Sequence, residues 1–73
     1  MLTKRELYKA YYEGDKDQVI RKELLRYGKI IMDDSNEDDQ GHWREYTIEH
    51  EGMIWNLILN NGDIDCLHWS YSY

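Results

Sequence analysis

Two glycine-bearing reversals constrain this chain more than any other feature. Asn61-Gly62 is the strongest short hairpin signal, because both central residues of a type I′ turn need positive φ, and Glu51-Gly52 reads as a second. They cut residues 43–71 into three strands: Trp43–His50, Met53–Asn60 and Asp63–Tyr71. Two-residue loops fix the register, so Ile48 faces Trp55, Tyr46 faces Leu57, Leu59 faces Ile64 and Leu57 faces Cys66. One face then gathers Tyr46, Ile48, Met53, Trp55, Leu57, Leu59, Ile64 and Cys66 as a core. The other gathers Trp43, Ile54, Ile58, Leu67, Trp69 and Tyr71 among Glu45, Glu49, Asp63 and Asp65, with Ile54 opposite Trp69.

Upstream, the period changes from two to 3.6. Thr3-Lys4-Arg5-Glu6 matches a capping box, and a helix over Lys4–Glu13 follows, with Gly14 placed to end it in a left-handed conformation. Asp15-Lys16-Asp17-Gln18 offers a second box, opening a helix to Tyr27 that carries Val19, Ile20, Leu24 and Tyr27 at helical spacing and closes at Gly28. Lys29–Asp33 is a short β-branched run, expected to pair with Trp43–His50. Between them, Asp34–Gly41 has no apolar residue and reads as an exposed loop. The expected fold is α+β, with two short N-terminal helices packed on one face of a three- to four-stranded antiparallel meander. Residues 1–73 form a single domain, helical over 3–28 and a meander over 29–73.

Size and residue types exclude much. A chain of 73 residues buries about 60–65% of its unfolded surface and has little left to wall a deep pocket. The lone Cys66 forms no internal disulfide and reads as a small buried hydrophobe in a reducing compartment. No apolar run reaches the roughly 18 residues of a membrane span, and no signal-peptide core opens the chain, so the expected location is the cytoplasm of a bacterial or phage-infected cell. Asp34, Asn36, Asp38 and Glu45 fall at positions 1, 3, 5 and 12 of a calcium loop, but Asp39 stands where glycine is required. His50 and His68 fall on one face about 10 Å apart, too far to share an ion. Cys66 and His68, two residues apart on a strand, lie about 6.5–7 Å apart, too far for a thiolate–imidazole pair. No metal, cofactor or catalytic role is expected.

Charge points to partners. Residues 1–32 carry eight Lys/Arg against five Asp/Glu, a balance of +3, while residues 33–73 carry only Arg44 against ten acids, a balance of −9; together they give the net −6. Acids interrupt the basic helices, and the acidic half repels phosphate, which argues against direct nucleic-acid binding. Three Trp and seven Tyr with no Phe suit half-wet surfaces. The expected function is a small non-catalytic binding module that occupies another protein, such as a nucleic-acid-binding enzyme, by presenting carboxylates where phosphates would sit. The expected contact residues are Asp33, Asp34, Glu37, Asp38, Asp39, Glu45 and Glu49, with Trp43, Ile54, Trp69 and Tyr71 as apolar anchors. In size and charge alone the chain resembles the small acidic inhibitors of phages and mobile elements, such as anti-CRISPR and anti-restriction proteins. The alternative is a structural or regulatory homo-oligomer, a homodimer in the simplest case, pairing through the exposed sheet face.

Overall fold

The computed structural model describes residues 1–14, 16–39 and 41–71, without the side chains of Lys16, Asp17 and Asp38. Helix α1 spans Lys4–Tyr12. Its capping box forms as read: Thr3 Oγ1 accepts from the Glu6 N–H at 3.2 Å, and Glu6 Oε1 accepts from the Thr3 N–H at 3.2 Å. A π-helical turn over Lys16–Ile20 runs directly into α2, Arg21–Tyr27, so the second helix opens on a wider i→i+5 turn than expected. The second capping box falls on Asp15, outside the described residues. Gly28 ends α2 with an ordinary extended backbone. The reason for glycine there is space, since a Cβ would collide with the Ile48 side chain and the Leu24 carbonyl.

Four strands follow, β1 (Lys29–Asp38), β2 (Gly41–His50), β3 (Met53–Asn60) and β4 (Asp63–Tyr71), in one antiparallel sheet of order β1-β2-β3-β4. The fold is α+β. Both turns have the positive φ that a type I′ turn requires: 53° at Glu51 and 72° at Gly52, then 53° at Asn61 and 88° at Gly62, a conformation Asn and Gly adopt readily and Glu51 does not. Asn61 does more than turn the chain. Its Oδ1 accepts from the His42 N–H at 2.9 Å and its own N–H donates to the His42 carbonyl at 2.7 Å, so the β3–β4 turn is tied to the start of β2.

Two expectations fail. Most of the acidic stretch is not a loop: β1 continues through Asp38, with Asp34 opposite Glu45, Asn36 opposite Trp43 and Asp38 opposite Gly41, and Asp39 lies in the turn that follows. β2 reaches back to Gly41 and offers a backbone partner for each of these residues, at about 1 kcal/mol net per hydrogen bond, while the described acidic side chains stay exposed. Polarity there marks exposure, and exposure is compatible with a strand.

The second failure is register. β3 and β4 pair as read at Leu59 with Ile64, but then one extra residue, Asp65, is inserted, and Ile58 faces Cys66 while Leu57 faces Leu67. A one-residue bulge reverses every side chain beyond it. Leu67, Trp69 and Tyr71 therefore share the face of Trp55, whereas Cys66, His68 and Ser70 join the face of Ile54 and Ile58. Burial explains the choice. A Leu or Trp removed from water contributes about 1.5–3 kcal/mol, more than Cys or His in the same places and more than the ladder bond the bulge interrupts.

The core is one cluster. Leu7, Ala10, Ile20 and Leu24 from the helical half are buried with Tyr46, Ile48, Met53, Trp55, Leu57 and Leu67 from the strands. Trp55 points inward as expected and is fully buried, with the Tyr11 ring edge-on at 5.9 Å and Trp69 at 6.4 Å. Among the described residues two polar ones, Glu23 and His50, are buried as well: Glu23 Oε2 accepts from the Leu2 N–H at 2.8 Å and shares a 2.8 Å hydrogen bond with His50 Nε2. Among the described residues no helix is long and apolar enough to cross a membrane.

Candidate docking face of the sheet

The face opposite Trp55 carries no buried residue among those described. Its rows, read across β1, β2, β3 and β4, are Asn36, Trp43, Asn60 and Asp63; Asp34, Glu45, Ile58 and Cys66; Met32, Thr47, Asn56 and His68; and Lys29, Glu49, Ile54 and Ser70. Trp43, Ile54, Ile58 and Cys66 are half-buried, Met32 exposed. Glu45 accepts a 3.3 Å hydrogen bond from Asn56 Nδ2, and directly across from it stands Asp34. Like charges facing each other across a ladder are destabilising, so this pair is not a device for holding the sheet together.

Of the expected contact residues, the structure brings Asp34, Trp43, Glu45, Glu49 and Ile54 onto this face and Asp39 into the exposed β1–β2 turn. Asp33 and Glu37 lie on the other side of the sheet, aligned with Tyr46 and His42, because they are odd-numbered on a strand and not in a loop. Asp38 pairs with Gly41 at the end of the hairpin. Trp69 and Tyr71 are corrected outright. The bulge at Asp65 turns Trp69 to the Trp55 side, edge-on to Tyr8 of α1 at 4.8 Å, and sets the Tyr71 hydroxyl 2.7 Å from that of Tyr8. Lys4 Nζ lies 4.8 Å from the Tyr71 ring centre. Cys66, expected in the core, is half-exposed on the outer face, and His68 stands on the face opposite His50.

Electrostatics sharpen the acidic half. Arg44, its single Lys or Arg, grips Asp33 with two bonds, Nε to Oδ1 at 3.0 Å and Nη2 to Oδ2 at 2.8 Å. The guanidinium hydrogen bonds hold the Asp33 carboxyl below the usual range and push Arg44 further up. Arg44 also lies 5.0 Å from the Tyr46 ring centre. That cation is thus committed on the Tyr46 side, away from Asp34, Glu45 and Glu49. Asp34, Asn36 and Asp38 lie along β1 and Glu45 on β2 directly across from Asp34, an extended ladder and not the wrapped geometry of a twelve-residue calcium loop. Among the described residues no group of three or more His, Cys, Asp or Glu could hold a metal ion.

The fold and the face define a small α+β module built on a four-stranded meander with one acidic, Trp-bearing sheet surface. No protein-family model, curated protein or solved structure matches the chain.

Proposed function

We propose that this protein is a non-catalytic binding module that docks on another protein through the outer face of its sheet. In this reading the helices cover the Trp55 side and leave the opposite side for the partner. The partner is a protein with a basic, phosphate-binding groove, and the module acts as an inhibitor by occupying it. One observation carries the reading: the acidic half has a single Lys or Arg, that residue is engaged by Asp33 on the far side, and Asp34, Glu45 and Glu49 surround Trp43 and Ile54 on a face without a buried residue. A concentrated negative potential speeds encounter with a cationic groove by about 10- to 1000-fold, and an aromatic anchor within it supplies short-range affinity. Carboxylates that repel one another in the lone sheet gain when cations of a partner face them.

The test is capture on immobilised protein with duplex DNA as competitor, in salt rising from about 50 to 200 mM, a range over which contacts with a polyanion weaken strongly. The expected result is a nucleic-acid-binding protein that salt and DNA both displace. Neutralising Asp34→Asn, Glu45→Gln and Glu49→Gln together, or removing the anchor with Trp43→Ala, is expected to abolish its capture. Capture indifferent to DNA and to the neutralised variant rejects the reading.

A further inference from the structure

Leu25, Tyr27, Ile30, Ile31 and Met32, all between 40% and 53% exposed, crowd into the eight residues where α2 passes into β1. β1 is an edge strand whose outer side pairs with no strand among the described residues. Natural edges are usually blunted by charge, and here the half from Asp33 onward is, whereas the half before it presents an apolar run flanked by Lys29. Single exposed apolar residues need no explanation; five adjoining an open edge do. The sign of the chain's charge reverses at the same place, from +3 over residues 1–32 to −9 over 33–73.

We infer that this edge binds a second copy of the chain, antiparallel, about a two-fold axis between Ile31 and Met32. Charge selects the occupant and the axis together. In this register Lys29 of each copy stands opposite Asp34 of the other. Both residues lie on the outer face, aligned with Glu49 and Glu45 respectively, so the two pairs are neighbours across the new boundary. Each acidic segment beyond Asp34 runs toward the partner's α2, which exposes Lys22 and Arg26. An axis further along β1 would set Asp33, Asp34 and Glu37 against their own copies, which like-charge repulsion opposes. Ile31 is the extra residue of a bulge between Ile30 and Met32. The backbone ladder is therefore irregular at the axis, and the contact rests on the apolar side chains and the flanking ion pairs. Isologous pairing of this kind closes on itself and leaves no further edge of the same kind open. It also sets the two outer faces side by side and shares Asp34 with them, whereas Glu45, Glu49 and Trp43 stay outside the contact.

Sedimentation velocity over a concentration series tests it. The wild type is expected to show a monomer–dimer equilibrium, and Ile31→Asp, at an exposed position, is expected to give a monomer with unchanged circular dichroism. Lys29→Glu is expected to raise the dimer Kd about tenfold, and the swapped pair Lys29→Glu with Asp34→Lys to bring it back. A wild type that stays monomeric at millimolar concentration overturns the inference. So does a dimer indifferent to Ile31→Asp but lost with Trp43→Ala, which would put self-association on the outer sheet face instead. Neither result bears on capture of a basic protein by the acidic face.

Discussion

Leu67→Ala and Cys66→Ala, made side by side, decide which way β4 faces. Leu67 is 5% exposed and belongs to the core cluster, whereas Cys66 is half-exposed opposite Ile58. Truncating a buried Leu destabilises by about 2–5 kcal/mol, depending on how far the site can collapse. β4 has a strand on one side only, so its surroundings can relax and the lower part of the range, about 2–3 kcal/mol, is expected. That is a large share of the roughly 4–11 kcal/mol available to a chain of this length, and at about 4–8 °C per kcal/mol it lowers Tm by about 10–20 °C. Cys66→Ala removes one sulfur from a wet surface and is expected to stay within about 0.5 kcal/mol. Urea unfolding followed by tryptophan fluorescence gives both values. If Cys66→Ala costs as much as Leu67→Ala, the bulge at Asp65 is not where the structure has it, and Trp69 returns to the outer face.

Two further outcomes follow from polar contacts. Glu23→Ala strands the Leu2 N–H and the His50 ring inside the protein, so a loss of about 3–5 kcal/mol is expected. A double-mutant cycle with His50→Ala, measured by urea unfolding, should return a coupling of about 1–3 kcal/mol, and additivity would mean the two do not interact. The Tyr8 hydroxyl, chiefly through its hydrogen bond to Tyr71, is pushed up from 10.0 to about 12. Because the folded value lies above the unfolded one, this contribution to stability is whole below pH 10 and is lost as pH rises toward 12. Ultraviolet titration should find Tyr8 late in the wild type and near the ordinary tyrosine value in Tyr71→Phe.

Local signals in this chain were legible wherever backbone chemistry alone decides the outcome. Thr3 with Glu6, Asn61 with Gly62, and Glu51 with Gly52 form the cap and the turns expected of them. The pairing of β2 with β3 follows from the second turn, with Ile48 on Trp55 and Tyr46 on Leu57. What failed were places where tertiary burial overrode a local rule. The acidic composition of residues 34–39 describes side chains in water and says nothing about whether a neighbouring strand takes the backbone. The bulge did leave a trace: in Asp63–Tyr71 the large apolar residues fall at Ile64, then Leu67, Trp69 and Tyr71, an interval of three followed by intervals of two, and only the small Cys66 continues the alternation from Ile64. An alternation that skips one residue places the extra residue between Ile64 and Leu67, and Asp65 or Cys66 were the candidates.

That single inserted residue also decides what the candidate face can be. With Trp69 and Tyr71 on the Trp55 side, in contact with Tyr8 of α1, the outer face loses two of its three expected aromatics and keeps Trp43 at the end of the sheet beside the β1–β2 hairpin. The loss makes the face more polar, and its half-exposed Ile54 and Ile58 are each aligned with a carboxylate, Glu49 and Glu45. A surface of this make-up has too little apolar area to hold a partner by burial alone. It has instead a dense negative field, with the half's one arginine committed elsewhere. Under the proposed reading, binding begins with charge and finishes on Trp43. Under the same reading, self-association through this face would set Asp34, Glu45 and Glu49 of the two copies near one another, with Lys29 as the cation the described residues of the face offer against them. The β1 edge, where the sign of the charge changes, is the one apolar patch described here at which a second copy meets complementary charge.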